Sequence, residues 1–312
     1  MKTLSLWEQY NQSLTTRRLD QLDASYERYI VCGMGGSHLA ASLIAPLDER
    51  ISIHTDYGLP TSNLRVLRRC LIILVSYSGN TEEVLDAYHE AHRHNLPMAV
   101  ISTGGELLRI AHSNDTPTVQ LPIARLQPRD ALGFQLRGLS CLMRSPHLPD
   151  QLASPNTVRD SYTNEAVRHY TEHFSGRIGL IYGTATTAGL AYIWKITLNE
   201  TGKMPAHYNL LPEINHNELE SYGAHPTTKH YAGLLLTSTS DHPRNQKRAS
   251  ITQRILTQFF PTERTRLQNL DLSNLLTEVS IATKTATELA RQRSLDPEQV
   301  PTIERFKKNM LE

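Results

Sequence analysis

The apolar positions of this chain fall into short unbroken runs separated by polar, helix-like stretches. Tyr29-Ile30-Val31-Cys32, Ile51-Ser52-Ile53-His54, Leu71-Ile72-Ile73-Leu74-Val75, Ala99-Val100-Ile101-Ser102 and Thr118-Val119-Gln120-Leu121 read as strands. The third is apolar throughout and rich in branched residues, as in a strand buried on both faces of a parallel sheet. Helical stretches run from His38 to Ala45 and onward from Glu82. Strands alternating with helices predict α/β units around a parallel sheet. Residues 5–28 read as a polar, amphipathic helix ahead of the first strand.

The second half repeats the first in weakened form. Leu180-Ile181-Tyr182-Gly183 matches Ile30-Val31-Cys32-Gly33, and Thr187 falls opposite Ser37. Gly233 to Ser240 (GLLLTSTS) matches Leu71 to Ser78 (LIILVSYS). The repeat predicts two copies of one α/β fold. The second copy carries Asp241-His242-Pro243-Arg244 where the first has Gly79-Asn80-Thr81, so the copies should differ in binding chemistry. The polar, Pro-punctuated run from Ser145 to Asn156 marks the expected boundary, which gives domains over 1–150 and 151–312. A helix from about Asp271 and a shorter one from Ile303 to Leu311 close the chain.

Composition narrows the function classes. A length of 312 residues fits two domains of about 150 residues each. Lys plus Arg (32) balances Asp plus Glu (31), which argues against a nucleic-acid partner held by bulk positive charge. No run of ~20 apolar residues predicts a membrane span, and the N-terminal stretch lacks the apolar core of a signal peptide. Cys32, Cys70 and Cys141 read as small hydrophobes in a reducing compartment, so a cytoplasmic protein is expected. The 14 histidines show no zinc-like spacing, and neither a metal nor a cofactor is expected.

Two loops carry the chemistry of an anion site. Ser76-Tyr77-Ser78-Gly79-Asn80-Thr81 ends a strand and opens a helix. It offers hydroxyls, a tight turn, and backbone N–H groups at the positive end of a helix dipole, which together bind phosphate without a lysine. Gly33-Met34-Gly35-Gly36-Ser37 follows the first strand, where glycines let a ligand approach the backbone. A dinucleotide fingerprint would reuse Gly33 and Gly35 with Asp56 as the ribose acid, but His38 stands where Gly or Ala is wanted. Both loops lie where open α/β sheets place ligands, and a small phosphorylated guest suits them.

Acid–base candidates follow. Glu200 ends a helix-like stretch, and His216 lies in Pro212-Glu213-Ile214-Asn215-His216-Asn217-Glu218. A carboxylate and an imidazole suit proton shuffling on a sugar, although a capping Glu and a loop His are common on structural grounds alone. Lys203 reads either as a phosphate ligand or as an ion partner of Glu213. Arg129, fixed after Pro128, can stabilise an oxyanion or pair with Asp130.

Taken together, these segments resemble a known family. The Gly-rich and hydroxyl-rich loops look like the two signatures of a sugar isomerase (SIS) domain. With Gln127-Pro128-Arg129, Asn199-Glu200, Lys203-Met204-Pro205-Ala206 and the His216 segment, the chain resembles the bifunctional phosphoglucose/phosphomannose isomerases from Val31 to Lys307. The resemblance implies two flavodoxin-like SIS subdomains, each a parallel sheet flanked by helices, with C-terminal helices. It implies interconversion of glucose 6-phosphate and fructose 6-phosphate through a cis-enediol without a metal, with mannose 6-phosphate as a second aldose. Gly35, Gly36 and Ser37 would line the sugar, and Ser76, Ser78 and Thr81 would hold its phosphate. Glu200 would move a proton between C2 and C1, Arg129 would stabilise the enediolate, and Lys307 would sit near the ring oxygen. His216 would assist ring opening from across a homodimer interface. Val300 departs from the family's usual Thr, a hydroxyl associated with processing the mannose epimer, and Ile193 stands where an Arg is usual.

Two rival functions use the same cradle. A non-catalytic SIS-domain sensor of sugar phosphates would not need Glu200 and His216, and would usually carry a DNA-binding helix-turn-helix, for which the residues before Tyr29 are too few. A nicotinamide-dependent dehydrogenase would need the fingerprint that His38 interrupts.

Overall fold

The computed structural model describes residues 4–23, 26–124, 126–143, 160–223 and 225–310. The chain divides into two compact units, Met1–Pro155 and Asn156–Glu312. The expected linker from Ser145 to Asn156 lies outside the described residues.

The first unit is built from α1 (Leu6–Tyr10), β1 (Thr15–Arg17), β2 (Arg28–Cys32), α2 (Leu39–Ile44), β3 (Ile51–His54), α3 (Leu64–Leu67), β4 (Cys70–Ser76), α4 (Glu82–Arg93), β5 (Met98–Ser102), α5 (Gly105–Ser113), β6 (Thr118–Gln120) and α6 (Leu132–Met143). Its six strands take the order β1-β6-β5-β4-β2-β3. All pairs are parallel except β1 with β6. Every residue of β4 is buried, which explains its unbroken apolar run. Against this sheet, α4 turns Val84, Ala87, Tyr88 and Ala91 inward, a helical i, i+3, i+4, i+7 stripe.

The N-terminal expectation is corrected. Among the described residues of 5–28, the α-helix is limited to Leu6–Tyr10, started by a capping box in which the Ser5 Oγ accepts from the Glu8 N–H, with a short 3-10 turn at Leu19–Gln21. Thr15 and Thr16 then add an antiparallel edge strand, for which their branched β-carbons are suited.

The second unit is built from α7 (Asp160–Phe174), β7 (Ile178–Gly183), α8 (Ala188–Glu200), β8 (Ala206–Leu210), α9 (Glu218–Ser221), β9 (Tyr231–Ser238), α10 (Pro243–Leu256), β10 (Thr262–Leu267), α11 (Leu272–Arg291) and α12 (Pro301–Met310). Its four parallel strands take the order β10-β9-β7-β8. Counting from β2 in one unit and β7 in the other, both sheets follow a 2-1-3-4 order, and the first extends to a flavodoxin-like 2-1-3-4-5. Both units are therefore α/β with parallel sheets flanked by helices. The last helix starts at Pro301 rather than Ile303, because proline is tolerated in a first turn; Leu311 lies outside the described residues.

Cys32 and Cys70 are buried and Cys141 is half-buried, with burial pushing the Cys32 thiol up to about 12.

Candidate active site

In the first unit, β2 and β4 are neighbours, yet the chain leaves β2 towards β3 on one side and β4 towards β5 on the other. Their carboxyl ends form a topological switch point, the usual ligand crevice of an open α/β sheet. The three loops singled out in this half meet there. Gly35 to Ser37 form a 3-10 turn after β2. A Cβ on Gly36 would stand 2.5 Å from the Arg129 nitrogen and 2.8 Å from the Pro128 carbonyl carbon, so glycine is what lets the Arg129 loop close on this turn. The Ser37 Oγ accepts from the Tyr77 N–H at 3.1 Å, which joins the Gly-rich turn to the hydroxyl turn.

Within the hydroxyl turn, Ser76 is fully buried. Its Oγ accepts from the Gly79 N–H at 3.0 Å and lies 2.8 Å from the Thr81 Oγ1, bracing the turn from beneath. Gly79 has φ +73, and a Cβ there would meet the Gly104 oxygen at 1.9 Å, so no other residue fits. Ser78 is exposed and its Oγ accepts from the Asn80 N–H at 3.3 Å. Thr81 is the N-cap of α4, whose first N–H groups have no acceptor within the helix. The turn thus presents hydroxyls and a helix N-terminus, the elements of a phosphate cradle.

Arg129 is buried, with its Nε 3.9 Å from the Asp130 Oδ2. His38 is buried in α2's first turn with its Nδ1 2.8 Å from the Ser42 Oγ. Burial pushes this imidazole down to about 4, so it is neutral at pH 7, and it fills the space that a dinucleotide fingerprint keeps open.

The second unit has the same kind of switch point, between β7 and β9, but a carboxylate of its own crosses it. The Asp241 Oδ1 accepts from the hydroxyls of Thr184 (2.6 Å) and Thr186 (2.5 Å), and its Oδ2 accepts from the Ser238 N–H (2.8 Å). Asp241 is buried and has no ion pair among the described residues. The differing chemistry expected of the two halves therefore has a physical form: an open hydroxyl turn in one, an internally occupied one in the other.

Glu200 is the last residue of α8 and is half-buried. The Lys203 Nζ donates to the carbonyls of Glu200 and Gln299, and to that of Pro297 at 3.4 Å. Lys203 thus reaches backbone carbonyls of its own unit, while the Glu213 carboxylate accepts from the Asn217 side chain at 2.7 Å. Arg293 donates to the Gly202 carbonyl and to that of Lys203 at 3.1 Å. The turn after Glu200 is tied in this way to the segment that enters α12, the helix of Lys307. Burial foremost, then Tyr208 and the Glu200 carboxylate, raises the Tyr192 phenol above its usual value.

His216 ends a 3-10 turn (Glu213–His216) beyond the other end of β8, and is exposed. The helix α8 runs back against the parallel strands β7 and β8, so Glu200 lies at the amino end of the sheet and His216 at its carboxyl end. The five residues of β8 alone separate them by about 13 Å. Every residue of α12, including Lys307, is exposed. The second unit brings Glu200 close to the base of α12 and keeps both apart from His216.

Known proteins resemble this chain in sequence and fold. A family model of the bacterial phospho-glucose isomerase C-terminal SIS domain matches residues 163–310. The bifunctional phosphoglucose/phosphomannose isomerase of Aquifex aeolicus (strain VF5) is 30% identical over 314 residues, covering 97% of this chain and 94% of that protein. The chain belongs to the bifunctional phosphoglucose/phosphomannose isomerase family. Another protein of that name, from Caldicellulosiruptor bescii, is 32% identical over 254 residues, covering 74% of this chain and 73% of the relative. In fold, the chain is similar to the tagatose-6-phosphate ketose/aldose isomerase of Escherichia coli (TM-score 0.64, 16% identity, 89% of this chain and 86% of that one).

Two residues of this phosphoglucose/phosphomannose isomerase family member escaped the sequence reading. The Gln135 Nε2 donates to the carbonyls of Gly36 (3.0 Å) and Pro128 (2.8 Å), clamping the Gly-rich turn to the Arg129 loop. Gln9 donates to the Asp130 carbonyl (2.8 Å) and accepts from the Gly133 N–H (3.1 Å), holding the far side of that loop. Their partners are backbone groups distant in the chain, and no local pattern marks such a glutamine. Among the described residues, no cluster of three or more His, Cys, Asp or Glu is arranged to hold a metal, and no helix is long and apolar enough to cross a membrane.

Proposed function

We propose that this chain is a sugar-phosphate isomerase that interconverts glucose 6-phosphate and fructose 6-phosphate, with mannose 6-phosphate as a second aldose. One observation carries the reading: the chain matches its isomerase relatives over nearly its whole length, and the Gly-rich turn, hydroxyl turn and Arg129 loop meet at one switch point.

The roles follow from the chemistry. Ser78 and Thr81 hold the phosphate on a turn fixed by Ser76, while Gly35, Gly36 and Ser37 give the sugar close access to backbone. His216, whose imidazole can pass a proton to the ring oxygen, assists opening of the ring. Glu200 takes the C2 proton, which lies alpha to the carbonyl, and returns it at C1 through the cis-enediol. Negative charge then develops on oxygen, and a preorganised cation such as Arg129 stabilises it without reorganising. Lys307 supports the ring oxygen. Positioned acid–base groups contribute ~10²–10⁴-fold, so anchoring of the phosphate must supply orientation as well.

The assembly is a homodimer in which each site takes its His216 from the partner. The placement of Glu200 and His216 at opposite ends of β8 supports this, because the strand holds the base and the ring-opening imidazole of one chain apart. A sugar-phosphate sensor is not favoured, since the curated relatives are named as isomerases.

A coupled assay with glucose, mannose and fructose 6-phosphates in the presence of chelator tests the proposal. Turnover of the glucose–fructose pair is expected. Glu200→Gln is expected to stop exchange of the C2 proton with solvent while sugar-phosphate binding persists; unchanged turnover would defeat the assignment of the base.

A further inference from the structure

The segment that carries His216 is fastened on both sides of that residue. Before it, Ile214 is buried in the core and the Asn215 side chain donates to the Thr252 hydroxyl of α10 at 2.7 Å. After it, the Glu218 carboxylate gathers donors from three places in the fold. The Tyr222 hydroxyl donates to Oε1 at 2.7 Å, the Tyr182 hydroxyl of β7 lies 3.1 Å from the same oxygen, and the Asn209 side chain of β8 donates to Oε2 at 3.0 Å. The two phenols also touch each other, 2.5 Å apart. Both tyrosines are buried, and burial raises both phenols, so they remain protonated donors at neutral pH. The Asn217 oxygen accepts from the Glu218 N–H at 2.5 Å, closing the turn between His216 and the anchor.

We propose that Glu218 is the positioning residue for His216. Its carboxylate does not react; it pins the end of the His216 turn to β7, β8 and the C-terminal end of α9, and leaves the imidazole to project outward. A proton donor works only within hydrogen-bond reach of the ring oxygen, and a misplacement of about 1 Å costs up to ~10²-fold. A surface turn with a free end would not hold that position. An inert anchor for an exposed histidine explains why a half-buried carboxylate takes up three side-chain donors so close to the turn.

The inference rests on the isomerase reading, and the test separates the two. Wild type, Glu218→Gln, His216→Ala and the double variant are assayed on glucose 6-phosphate. Glu218→Gln keeps the shape but replaces one accepting oxygen with an N–H₂ group. It is expected to lower kcat by ~10–100-fold with KM within about twofold. In the His216→Ala background, the same change is expected to cause no further loss, because residues acting as a unit are non-additive. Losses that multiply in the double variant, or a loss confined to KM, would overturn the role of Glu218 and leave the isomerase reading intact. Absence of turnover in the wild type would overturn the isomerase reading itself. If Glu218→Gln fails to fold, Tyr222→Phe, which removes one donor, carries the same double-variant comparison with the same opposing outcomes.

Discussion

Glu200 and His216 stand at opposite ends of β8: Glu200 closes the helix that leads into this strand, and His216 lies in the turn that follows it. A strand is extended, so the sheet fixes the backbone separation of the two residues. In the proposed homodimer, the two that act on one hexose phosphate come from different chains. The exposure of His216 and of the whole Lys307 helix accords with surfaces that a second copy covers.

The hydroxyl turn gives a binding prediction. Ser78→Ala combined with Thr81→Ala removes donors while Gly79 keeps the backbone turn. KM for glucose 6-phosphate is expected to rise at least ~10-fold, the loss of two hydroxyl contacts to an anion. Steady-state kinetics checks this; an unchanged KM would place the anchor elsewhere.

The second unit gives the complementary prediction. Asp241→Ala strips the carboxylate from Thr184, Thr186 and the Ser238 N–H and leaves buried donors unpaired. The variant is expected to melt at lower temperature, and millimolar formate should restore its Tm saturably beyond any effect of equal chloride. Asp241→Asn, which still fills the space, should not respond to formate. Thermal melts read both; no response from the alanine variant would show that those donors do not require an anion.

Burial pushes the Glu278 carboxyl up to about 7, and its Oε2 meets no hydrogen-bond donor on α11, which packs against α7 and α8. The folded chain holds this proton until about pH 7, whereas the unfolded chain releases it near 4.5. The contribution to stability is therefore full below pH 4.5 and falls as pH rises towards 7, by on the order of 3 kcal/mol. Glu278→Gln, the neutral mimic, should exceed the wild type in stability at pH 8 and match it at pH 4.5. Denaturant unfolding at the two pH values is the measurement, and a pH-independent difference would contradict it.

Position 300 addresses epimer choice. The Lys203 Nζ bonds to the carbonyls of both Glu200 and Gln299, so Val300 follows directly on a segment tied to the Glu200 helix. Val300→Thr restores a hydroxyl there and should raise the ratio of mannose to glucose 6-phosphate turnover. A flat ratio in paired assays would show that this side chain does not govern the choice.

The extent to which the sequence revealed these features follows burial. Strands such as Leu71–Val75 were legible because both faces are covered and every position is apolar. Ala206–Leu210 and Thr262–Leu267 gave no such signal, since they are edge strands with exposed or half-exposed polar residues. The segment between Glu200 and His216 carries no apolar run that marks β8, so the spacing alone does not show a separation. The glycine and hydroxyl loops were legible because their chemistry is local. Gln9, Gln135 and the Asp241 carboxylate were not, because what they do is decided by backbone and hydroxyl groups that only the fold brings to them. Residues 5–28 misled for the opposite reason: polar periodicity is weak evidence where tertiary pairing at a sheet edge is available.

In the proposed homodimer, Glu200 and His216 of one catalytic site belong to two chains. Glu200→Gln and His216→Ala proteins, each far less active alone than the wild type, are unfolded together, refolded as a mixture and assayed on glucose 6-phosphate. The account predicts recovery of about a quarter of wild-type activity, because half of the dimers are mixed and one of their two sites is intact. A mixture as inactive as its components would contradict it.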